Sequence, residues 1–209
     1  MKIALTGGIA CGKSLLSKFL NEFGVETLDA DDIVHELIPD PVERRRIAAE
    51  VFADPAKRRE LEAKLHPIVK TRIAEWLSRT NGTTETTGTT ETGACPGGLV
   101  RPGSPVCPVS PVSPVRVAII PLLFETHWDE NFDIICCVVS SKEKQIERMV
   151  TTRAMTRAEA EARLAAQLPV EEKARRSHYV IHNDGSPEEL KSQARGFINW
   201  LNSEPKNGS

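Results

Sequence analysis

A glycine-rich segment at the start of the chain constrains its fold more than any other feature. Residues 3–14 read I-A-L-T-G-G-I-A-C-G-K-S, in which Gly7, Gly12, Lys13 and Ser14 fit the spacing G-x-x-x-x-G-K-[ST]. An apolar run precedes the segment, and apolar residues at helical spacing follow it. The sequence therefore predicts a strand, a phosphate-binding loop and a helix in succession, which is the context that this motif needs.

Each part of this loop suits the binding of a nucleoside triphosphate. Glycines let the backbone curl so that successive N–H groups point at phosphate oxygens, and the next helix adds the positive end of its dipole. Lys13 is placed to reach the β- and γ-phosphates, and the Ser14 hydroxyl to hold Mg²⁺. We predict nucleotide binding by the residues Gly7, Gly8, Ile9, Ala10, Cys11, Gly12, Lys13, Ser14 and Leu15. The alternative is a purely structural glycine-rich turn.

The composition is ordinary for a soluble protein. The 209 residues are 40% hydrophobic and 27% charged, with a formal net charge of −2. Because there is no excess of positive charge, nucleic acid is not expected as a partner. The longest strongly apolar run, residues 117–124, is too short to cross a bilayer, and glycines interrupt any signal-peptide core at the N-terminus. We expect a cytoplasmic protein without a membrane partner, either a monomer or a weak homo-oligomer.

Predicted strands alternate with predicted helices along most of the chain. This order is typical of a parallel sheet with right-handed crossovers, which binds nucleotide at the carboxyl ends of its strands. Residues 1–203 are expected to form one domain, with a helical part over about 32–79. Residues 80–115 are rich in Thr, Gly, Pro, Ser and Val, so this low-complexity insertion is predicted to be a disordered or extended surface loop. The tail 204–209 is also predicted to be disordered.

Local signals predict where several elements begin and end. The pair His66-Pro67 predicts a break followed by a new helix. The apolar run 117–125 predicts a strand that is buried on both faces. Thr156 and Ser186, each followed three residues later by Glu, predict capping boxes that open two further helices.

Two acidic residues, Asp29 and Asp31, follow the predicted second strand. The γ-phosphate is expected nearby, and a carboxylate there can accept a proton from a substrate hydroxyl or hold Mg²⁺. The alternative is that both acids cap the next helix. Nothing in the chain matches the guanine-binding signature Asn/Thr-Lys-x-Asp, so a GTPase is disfavoured.

Three arginines, Arg148, Arg153 and Arg157, cluster around the start of the predicted Thr156 helix. In a mobile lid they would neutralise the charge on a transferring phosphoryl group and exclude water. Arginines on helices more often form an exposed polar face, so the cluster alone does not identify a lid.

Taken together, these residues make the chain resemble the dephospho-CoA kinase family. The matching segments lie in the family's order and cover most of the chain outside residues 80–115. They are A-L-T-G-G-I-A-C-G-K-S (4–14), D-A-D (29–31), R-R-E-L-E-A-K-L-H-P (58–67), I-P-L-L-F-E (120–125), E-R-M (147–149), R-A-M-T-R-A-E-A (153–160), A-A-Q-L-P-V-E-E-K (165–173) and V-I-H-N-D-G-S (180–186). His-Pro after a helix and Pro-Leu-Leu-Phe-Glu after a strand are not general features of phosphate-binding loops.

The resemblance implies an α/β fold, that of a P-loop kinase similar to the nucleoside monophosphate kinases. Three α/β/α layers, a five-stranded parallel sheet, a helical acceptor-binding subdomain and a lid over about 148–176 are expected. The implied reaction moves a phosphoryl group from ATP, with Mg²⁺, to the ribose 3′-hydroxyl of dephospho-CoA, giving ADP and CoA as the last step of coenzyme A biosynthesis. The alternatives are another nucleoside or nucleotide kinase, or a degenerate ATP-binding regulator.

The resemblance also implies roles for particular residues. Asp31 would be the general base, and Lys13 and Arg148 would act on the phosphates. Arg148 and Arg153 would bind ATP, with Asn183 beside the adenine. Contacts with the acceptor are implied for Asp31, His66, Pro67, Leu122, Leu123, Phe124, Glu125 and Arg157.

The chain departs from the family pattern in two places. The stretch between Asp40-Pro41 and the segment 58–67 is shorter than family members usually have. Residues 80–115 are an insertion before the central strand. The shortened stretch belongs to the helical part that is expected to bind the acceptor.

Overall fold

Parallel strands and the helices between them make up the described part of the chain. The computed structural model describes residues 1–79 and 115–203. In chain order the elements are β1 (Ile3–Gly7), α1 (Lys13–Glu22), β2 (Glu26–Asp29), α2 (Ala30–Leu37), α3 (Pro41–Ala53), α4 (Pro55–Ser78), β3 (Arg116–Ile119), a 3₁₀ turn (Asp129–Asn131), β4 (Ile134–Val139), α5 (Lys142–Arg153), α6 (Arg157–Ala165), α7 (Val170–Arg175), β5 (Tyr179–His182) and α8 (Pro187–Ser203). The predicted loop 80–115, apart from its last residue, and the predicted tail 204–209 lie outside the described residues.

The strand order places the predicted phosphate-binding loop (residues 7–14, called the nucleotide loop below) at the centre of the sheet. The order is β2-β3-β1-β4-β5, and every neighbouring pair is parallel. In β1, Ala4 pairs with Ala118 on one side and with Ile135 on the other. Because β1 is paired along both edges, the loop that follows it starts from a fixed point at the carboxyl edge. The predicted five-stranded parallel sheet is confirmed.

Helices cover both faces of the sheet. Side chains of a strand alternate between the two faces, and Ile3 and Leu5 pack on one face with Leu16 of α1 and Phe197 of α8. Ala4 lies on the opposite face, where its core cluster includes residues of α2 and α4. The predicted three-layer α/β/α arrangement is therefore confirmed.

The third strand is shorter than the sequence predicts. β3 ends at Ile119, and residues 121–127 form turns. Pro121 has no N–H to donate to a sheet ladder, so the chain leaves the sheet at this point. The predicted strand over 117–125 is therefore wrong beyond Ile119. This change matters for function, because the turns replace what would have been the buried end of a strand.

The helix α4 is continuous, whereas the sequence predicts a break at His66-Pro67. Pro67 removes one backbone hydrogen bond from the helix. The second half of the helix is nevertheless held in place, because Val69 and Ile73 are 6% and 0% exposed in the core. Although α4 has 24 residues, neither it nor any other helix within 1–79 or 115–203 is apolar enough over sufficient length to cross a bilayer.

Both predicted capping boxes are confirmed. Thr156 N–H donates to Glu159 Oε2 at 2.8 Å, and Glu159 N–H donates to Thr156 Oγ1 at 3.3 Å. The same pair of bonds joins Ser186 and Glu189, at 3.0 and 3.2 Å. These boxes open α6 and α8. The helix α7, which the sequence does not predict, has only six residues and is too short to show a periodic pattern.

Candidate active site

The loop between β1 and α1 curls around the side chain of Lys13. Lys13 Nζ donates to the carbonyl oxygens of Gly7 and Gly8, at 3.0 and 2.8 Å. Gly7 and Gly12 have φ angles of +149° and +92°. A Cβ atom on Gly7 would collide with the backbone oxygen of Val138. The chain therefore needs glycine at these two positions to bring the loop close to β4.

Three side chains from distant parts of the sequence hold the outer turn of this loop. The bonds run from Ile9 N–H to Gln167 Oε1 (3.0 Å), from Arg148 Nη1 to Ala10 O (3.2 Å) and from Asn183 Nδ2 to Cys11 O (2.8 Å). Each of the three consecutive loop residues is thus tied to a different segment. The shape of the loop depends on the whole fold as well as on its own glycines.

The residues that hold the loop are also joined to one another. Arg148 Nη2 donates to Asn183 O at 2.7 Å. The next residue, Asp184, accepts from Ser141 N–H at 2.7 Å and from Ser140 Oγ at 2.8 Å. The pKa of Asp184 is lowered from its ordinary value, mainly because its carboxylate accepts the hydrogen bond from Ser141 N–H. Arg148 and Asn183 lie against the predicted ATP loop, while their direct contact with ATP stays a prediction.

Burial shifts the pKa of two side chains in the loop. It lowers the pKa of the Lys13 ammonium, and the Asp31 and Asp29 carboxylates are among the charges that oppose this shift. It raises the pKa of the Cys11 thiol, which is 0% exposed, although nearby Lys13 acts in the opposite direction. A phosphate group beside Lys13 would favour its charged form. Cys11, in contrast, remains a neutral thiol at neutral pH.

The two acids after β2 have different environments. Asp29 is the N-cap of α2, where its Oδ1 accepts from Asp31 N–H at 2.9 Å, and burial raises its pKa. Asp31 lies in the first turn of α2. It is exposed to solvent and lines a pocket. Within the described ranges its carboxylate has no hydrogen-bond or salt-bridge partner. The capping alternative therefore holds for Asp29, whereas Asp31 is available to a substrate.

The pocket beside Asp31 has a volume of about 110 Å³. Its wall is formed by α2, by α4 and by the turns after β3. The lining side chains include Val34, His66, Val69, Lys70, Leu122, Thr126 and Trp128. Three residues that the resemblance assigns to the acceptor, Asp31, His66 and Leu122, therefore share one pocket. Their contacts with an acceptor stay predictions.

Five other residues assigned to the acceptor do not line this pocket: Pro67, Leu123, Phe124, Glu125 and Arg157. Leu123 and Phe124 are 0% and 2% exposed, and they pack in the core between the sheet and α4. Pro67 lies on the exposed side of α4. The geometry gives Leu123 and Phe124 a role in holding the pocket wall, and their contact with substrate stays a prediction.

Glu125 forms an ion pair with a lysine that the sequence analysis does not single out. Glu125 Oε1 lies 2.6 Å from Nζ of Lys173, a residue whose side chain is 0% exposed, and it accepts from Leu168 N–H at 3.2 Å. Lys173 Nζ also donates to Pro121 O at 3.0 Å. Because an unpaired buried charge is costly, each partner depends on the other. The pair ties α7 to the turns that line the pocket.

The three arginines of the predicted lid lie in different surroundings. Arg148 is half-buried against the loop, as described above. Arg157 is exposed and donates to Glu143 at 3.1 Å and to Glu161 at 3.0 Å. Arg153 is exposed at the end of α5. The structure brings Arg148 to the nucleotide loop, and the lid roles of Arg153 and Arg157 stay predictions.

Sequence reasoning missed Gln167 and Lys173, although both belong to the segment 165–173. One signal was available for the lysine. Lys173 lies three residues after Val170 and one before Ala174, so helical spacing puts it on an apolar face. A lysine on such a face predicts a buried ion pair, because an isolated charge is not tolerated there. Gln167 contacts the loop at Ile9, 158 positions away in the sequence, and the sequence offers no signal for that contact.

These features define a class of protein. A parallel sheet, a glycine-rich loop between its central strand and the next helix, a lysine enclosed by that loop and a nearby pocket with one carboxylate in its wall are the parts of a P-loop kinase. The family model described as dephospho-CoA kinase matches residues 1–42 and 110–189. The chain belongs to the dephospho-CoA kinase family.

Individual relatives agree with this assignment. The dephospho-CoA kinase of Synechococcus sp. (strain JA-3-3Ab) is 37% identical, over 92% of this chain and 89% of its own. That of Geobacter sulfurreducens is 33% identical, over 90% and 92%. A crystal structure of a Thermus thermophilus protein superposes with a TM-score of 0.68 at 28% identity, covering 96% of this chain and 97% of the other.

The match to the family model is interrupted where the sequence departs from the family pattern. Residues 43–109 lie between its two matched parts, and they contain most of α3 and all of α4. This interval includes the stretch expected to be shortened and most of the expected insertion. The curated relatives named above align over about nine tenths of the chain, so their similarity extends into this interval.

Proposed function

We propose that this kinase transfers the γ-phosphoryl group of ATP to the ribose 3′-hydroxyl of dephospho-CoA, giving CoA and ADP, the final step of coenzyme A biosynthesis. Family membership supports this reaction. The observation in the site that supports it best is the exposed carboxylate of Asp31, which lines a pocket next to the nucleotide loop. A kinase needs an acceptor site and a base at this position.

The nucleotide side of the reaction uses the loop and the residues that support it. We assign the loop N–H groups and Lys13 to the phosphates of ATP. Lys13 lies beside two loop carbonyl oxygens, and its charge would stabilise the negative charge that develops on the transferring group. Arg148 extends from α5 to the same loop and is proposed to add a second positive charge there.

The acceptor side uses Asp31 as the general base. The oxygen of the 3′-hydroxyl attacks the γ-phosphorus, and the bond from that phosphorus to the bridging oxygen of ADP breaks. The proton of the hydroxyl passes to the carboxylate of Asp31, which is otherwise unpaired among the described residues. His66 and Leu122, which line the same pocket, are proposed to contact the acceptor.

The oxygen donors around the loop suit Mg²⁺. The hydroxyl of Ser14 is exposed in the first turn of α1, and Asp29 and Asp31 are close enough to influence Lys13. Mg²⁺ prefers oxygen ligands and usually keeps waters and substrate phosphates among them. We propose that Ser14 holds this ion, which when bound would neutralise charge on the β- and γ-phosphates.

The lid is a further part of the proposal. Closure over about 148–176 would bring Arg153 and Arg157 towards the phosphates and exclude water. In the described geometry Arg157 is paired with Glu143 and Glu161. Its proposed role therefore requires those exposed pairs to open, which costs little because water and salt screen surface ion pairs.

The direct test is a coupled assay of ADP release with MgATP and dephospho-CoA, against a control without acceptor. Release that depends on the acceptor, with CoA as the product, would support the reaction. Adenosine and AMP should be tested as acceptors in parallel. Turnover on these compounds without turnover on dephospho-CoA would indicate another nucleotide kinase, and ATP binding without any turnover would indicate a regulator.

We also infer that the protein acts in the cytoplasm as a monomer or a weak homo-oligomer, since its proposed substrates are small soluble molecules. Sedimentation velocity over a range of protein concentrations tests the oligomeric state. A single stable large assembly at all concentrations would contradict it.

A further inference from the structure

The pocket beside Asp31 contains one cationic side chain that no prediction covers. Among the residues that the structure describes around this pocket, Lys70 is the single lysine or arginine. Most of the surrounding wall is apolar, with Val34, Val69 and Leu122 among its side chains. A positive charge beside an apolar wall acts more strongly on an anionic group than the same charge does in bulk water.

The position of Lys70 is fixed by an aromatic surface. Lys70 Nζ lies 5.4 Å from the centre of the Trp128 ring, within the range of a cation–π contact. Trp128 is only 7% exposed, and its ring packs edge-on against Phe132 with centroids 5.6 Å apart. The backbone N–H of Trp128 donates to Leu123 O at 3.0 Å, which fixes the main chain at this position. The ammonium group therefore rests on a rigid support.

Neighbouring cations on the same helix have a different environment. Lys64 pairs with Glu60 at 2.7 Å, and Arg72 pairs with Glu36 at 2.7 Å. Within residues 1–79 and 115–203, no carboxylate lies within salt-bridge distance of Lys70. Unlike Lys64 and Arg72, Lys70 lies in the pocket, and its ammonium group is available to bind a ligand.

We propose that Lys70, supported by the ring of Trp128, binds the diphosphate of the acceptor. This inference rests on the proposed function. Dephospho-CoA is an adenosine whose 5′-oxygen carries a diphosphate linked to the pantetheine arm, so an acceptor whose ribose reaches Asp31 brings two negative charges into the pocket. Lys70 binds that group and selects for acceptors that carry it. The assignment is argued from the place of Lys70 in the pocket and from its contact with Trp128.

The test compares Lys70→Met with Lys70→Arg, and uses Lys64→Met as the matched control on the same helix. Lys70→Met keeps an apolar stem over Trp128 and removes the charge. At saturating MgATP, we expect its KM for dephospho-CoA to rise by about 10- to 100-fold, the scale of one lost charged hydrogen bond. We expect kcat to stay within about threefold, because Lys70 does not touch the transferring group. Lys70→Arg should recover most of the loss, and Lys64→Met should behave as the wild type.

Salt dependence separates charge recognition from a change of pocket shape. Added NaCl screens charges, so it should raise the wild-type KM for dephospho-CoA more steeply than that of Lys70→Met. An unchanged KM in Lys70→Met, or a fall in kcat without a change in KM, would overturn the proposal. The same effect in Lys64→Met, or a failure of Lys70→Arg to recover, would also overturn it.

Direct measurement of dephospho-CoA binding distinguishes a failure of the proposed reaction from a failure of the proposed diphosphate site. If the wild type does not turn over dephospho-CoA, calorimetry measures the binding of that compound to the wild type and to Lys70→Met. Binding that is about 10- to 100-fold weaker in the variant would support the diphosphate site without the transfer reaction. Equal binding, or none to the wild type, would remove this proposal as well.

Discussion

The nucleotide loop and the acceptor pocket are built in different ways, although they lie next to each other. The loop is a short continuous segment, and hydrogen bonds from Gln167, Arg148 and Asn183 hold its backbone. The pocket is assembled from side chains on two helices and a turn, and its key groups, Asp31 and Lys70, have no hydrogen-bond partner for their side chains among the described residues. The loop therefore presents a fixed backbone to phosphate, whereas the pocket presents free side chains to an acceptor.

The largest effect is expected at the centre of the loop. Lys13→Ala removes the cation that the loop encloses, and we expect kcat/KM for ATP to fall at least about 1,000-fold, since charge stabilisation at the transferring group is lost. Lys18→Ala, an exposed lysine on the same helix, is the control and should be nearly neutral. Retention of more than about a tenth of the activity in Lys13→Ala would mean that the loop backbone alone carries the phosphate interaction.

The ion pair that ties α7 to the turns lining the pocket is the next test. Lys173→Met leaves Glu125 charged and partly enclosed without its partner, so we expect the free energy of unfolding to fall by about 3–5 kcal/mol. Chemical denaturation measures this change. The double variant Lys173→Met with Glu125→Gln removes both charges and should recover part of the loss.

An exposed ion pair supplies the control for that experiment. Lys144 and Glu147 are separated by 3.0 Å on the surface of α5, and Lys144→Met should cost less than about 1 kcal/mol. A loss of that small size in Lys173→Met would show that this pair does not hold α7 against the turns that line the pocket.

The roles of the two acids give the sharpest comparison between neighbouring residues. Asp31→Asn should lower kcat by roughly 100-fold or more, the scale of a lost general base, while ATP binding is retained. Asp29→Asn keeps an oxygen that can cap α2, and asparagine is as good an N-cap as aspartate, so its effect should be small. Rapid-quench kinetics and nucleotide titration measure the two quantities. A larger loss of kcat in Asp29→Asn would reverse the assignment.

The same contrast explains what the sequence predicts and what it does not. The loop at 7–14 and the capping boxes at Thr156 and Ser186 involve residues within a few positions of one another, so their geometry follows from local spacing. The continuity of α4 through Pro67 does not, because it depends on Val69 and Ile73 packing against a sheet made from other parts of the chain.

The candidate site shows the same limit. Asp31, His66 and Leu122 could be placed together from the resemblance, and the pocket contains all three. The resemblance also assigns Glu125 to the acceptor, whereas its carboxylate pairs with Lys173 at 2.6 Å. Glu125 is the last residue of a buried strand in the prediction and lies in a turn in the structure, so its direction is set by Pro121 and the end of β3. Tertiary packing decides such cases.

A smaller effect is expected where the loop is held from outside. Asn183 is 5% exposed and donates to Cys11 O, so Asn183→Ala leaves a buried carbonyl oxygen unpaired at a cost of about 1–3 kcal/mol. We expect the KM for ATP to rise while the KM for the acceptor stays unchanged. Asn202→Ala, at an exposed position near the end of α8, is the control. An equal rise in both KM values would indicate that the loop and the pocket respond as one unit.

The smallest expected effect is on the alkylation rate of Cys11, which reports how rigid the loop is. Burial raises the pKa of the Cys11 thiol, so its thiolate fraction at pH 8 is lower than that of a free cysteine, and its reactivity should rise only at higher pH. Iodoacetamide should alkylate Cys11 at least about tenfold more slowly in the native protein than in urea, as measured by peptide mapping. Alkylation at the rate of the unfolded chain would show that the loop opens often. In that case the hydrogen bonds from Gln167, Arg148 and Asn183 would not hold it, and the difference between a fixed loop and a free pocket would disappear.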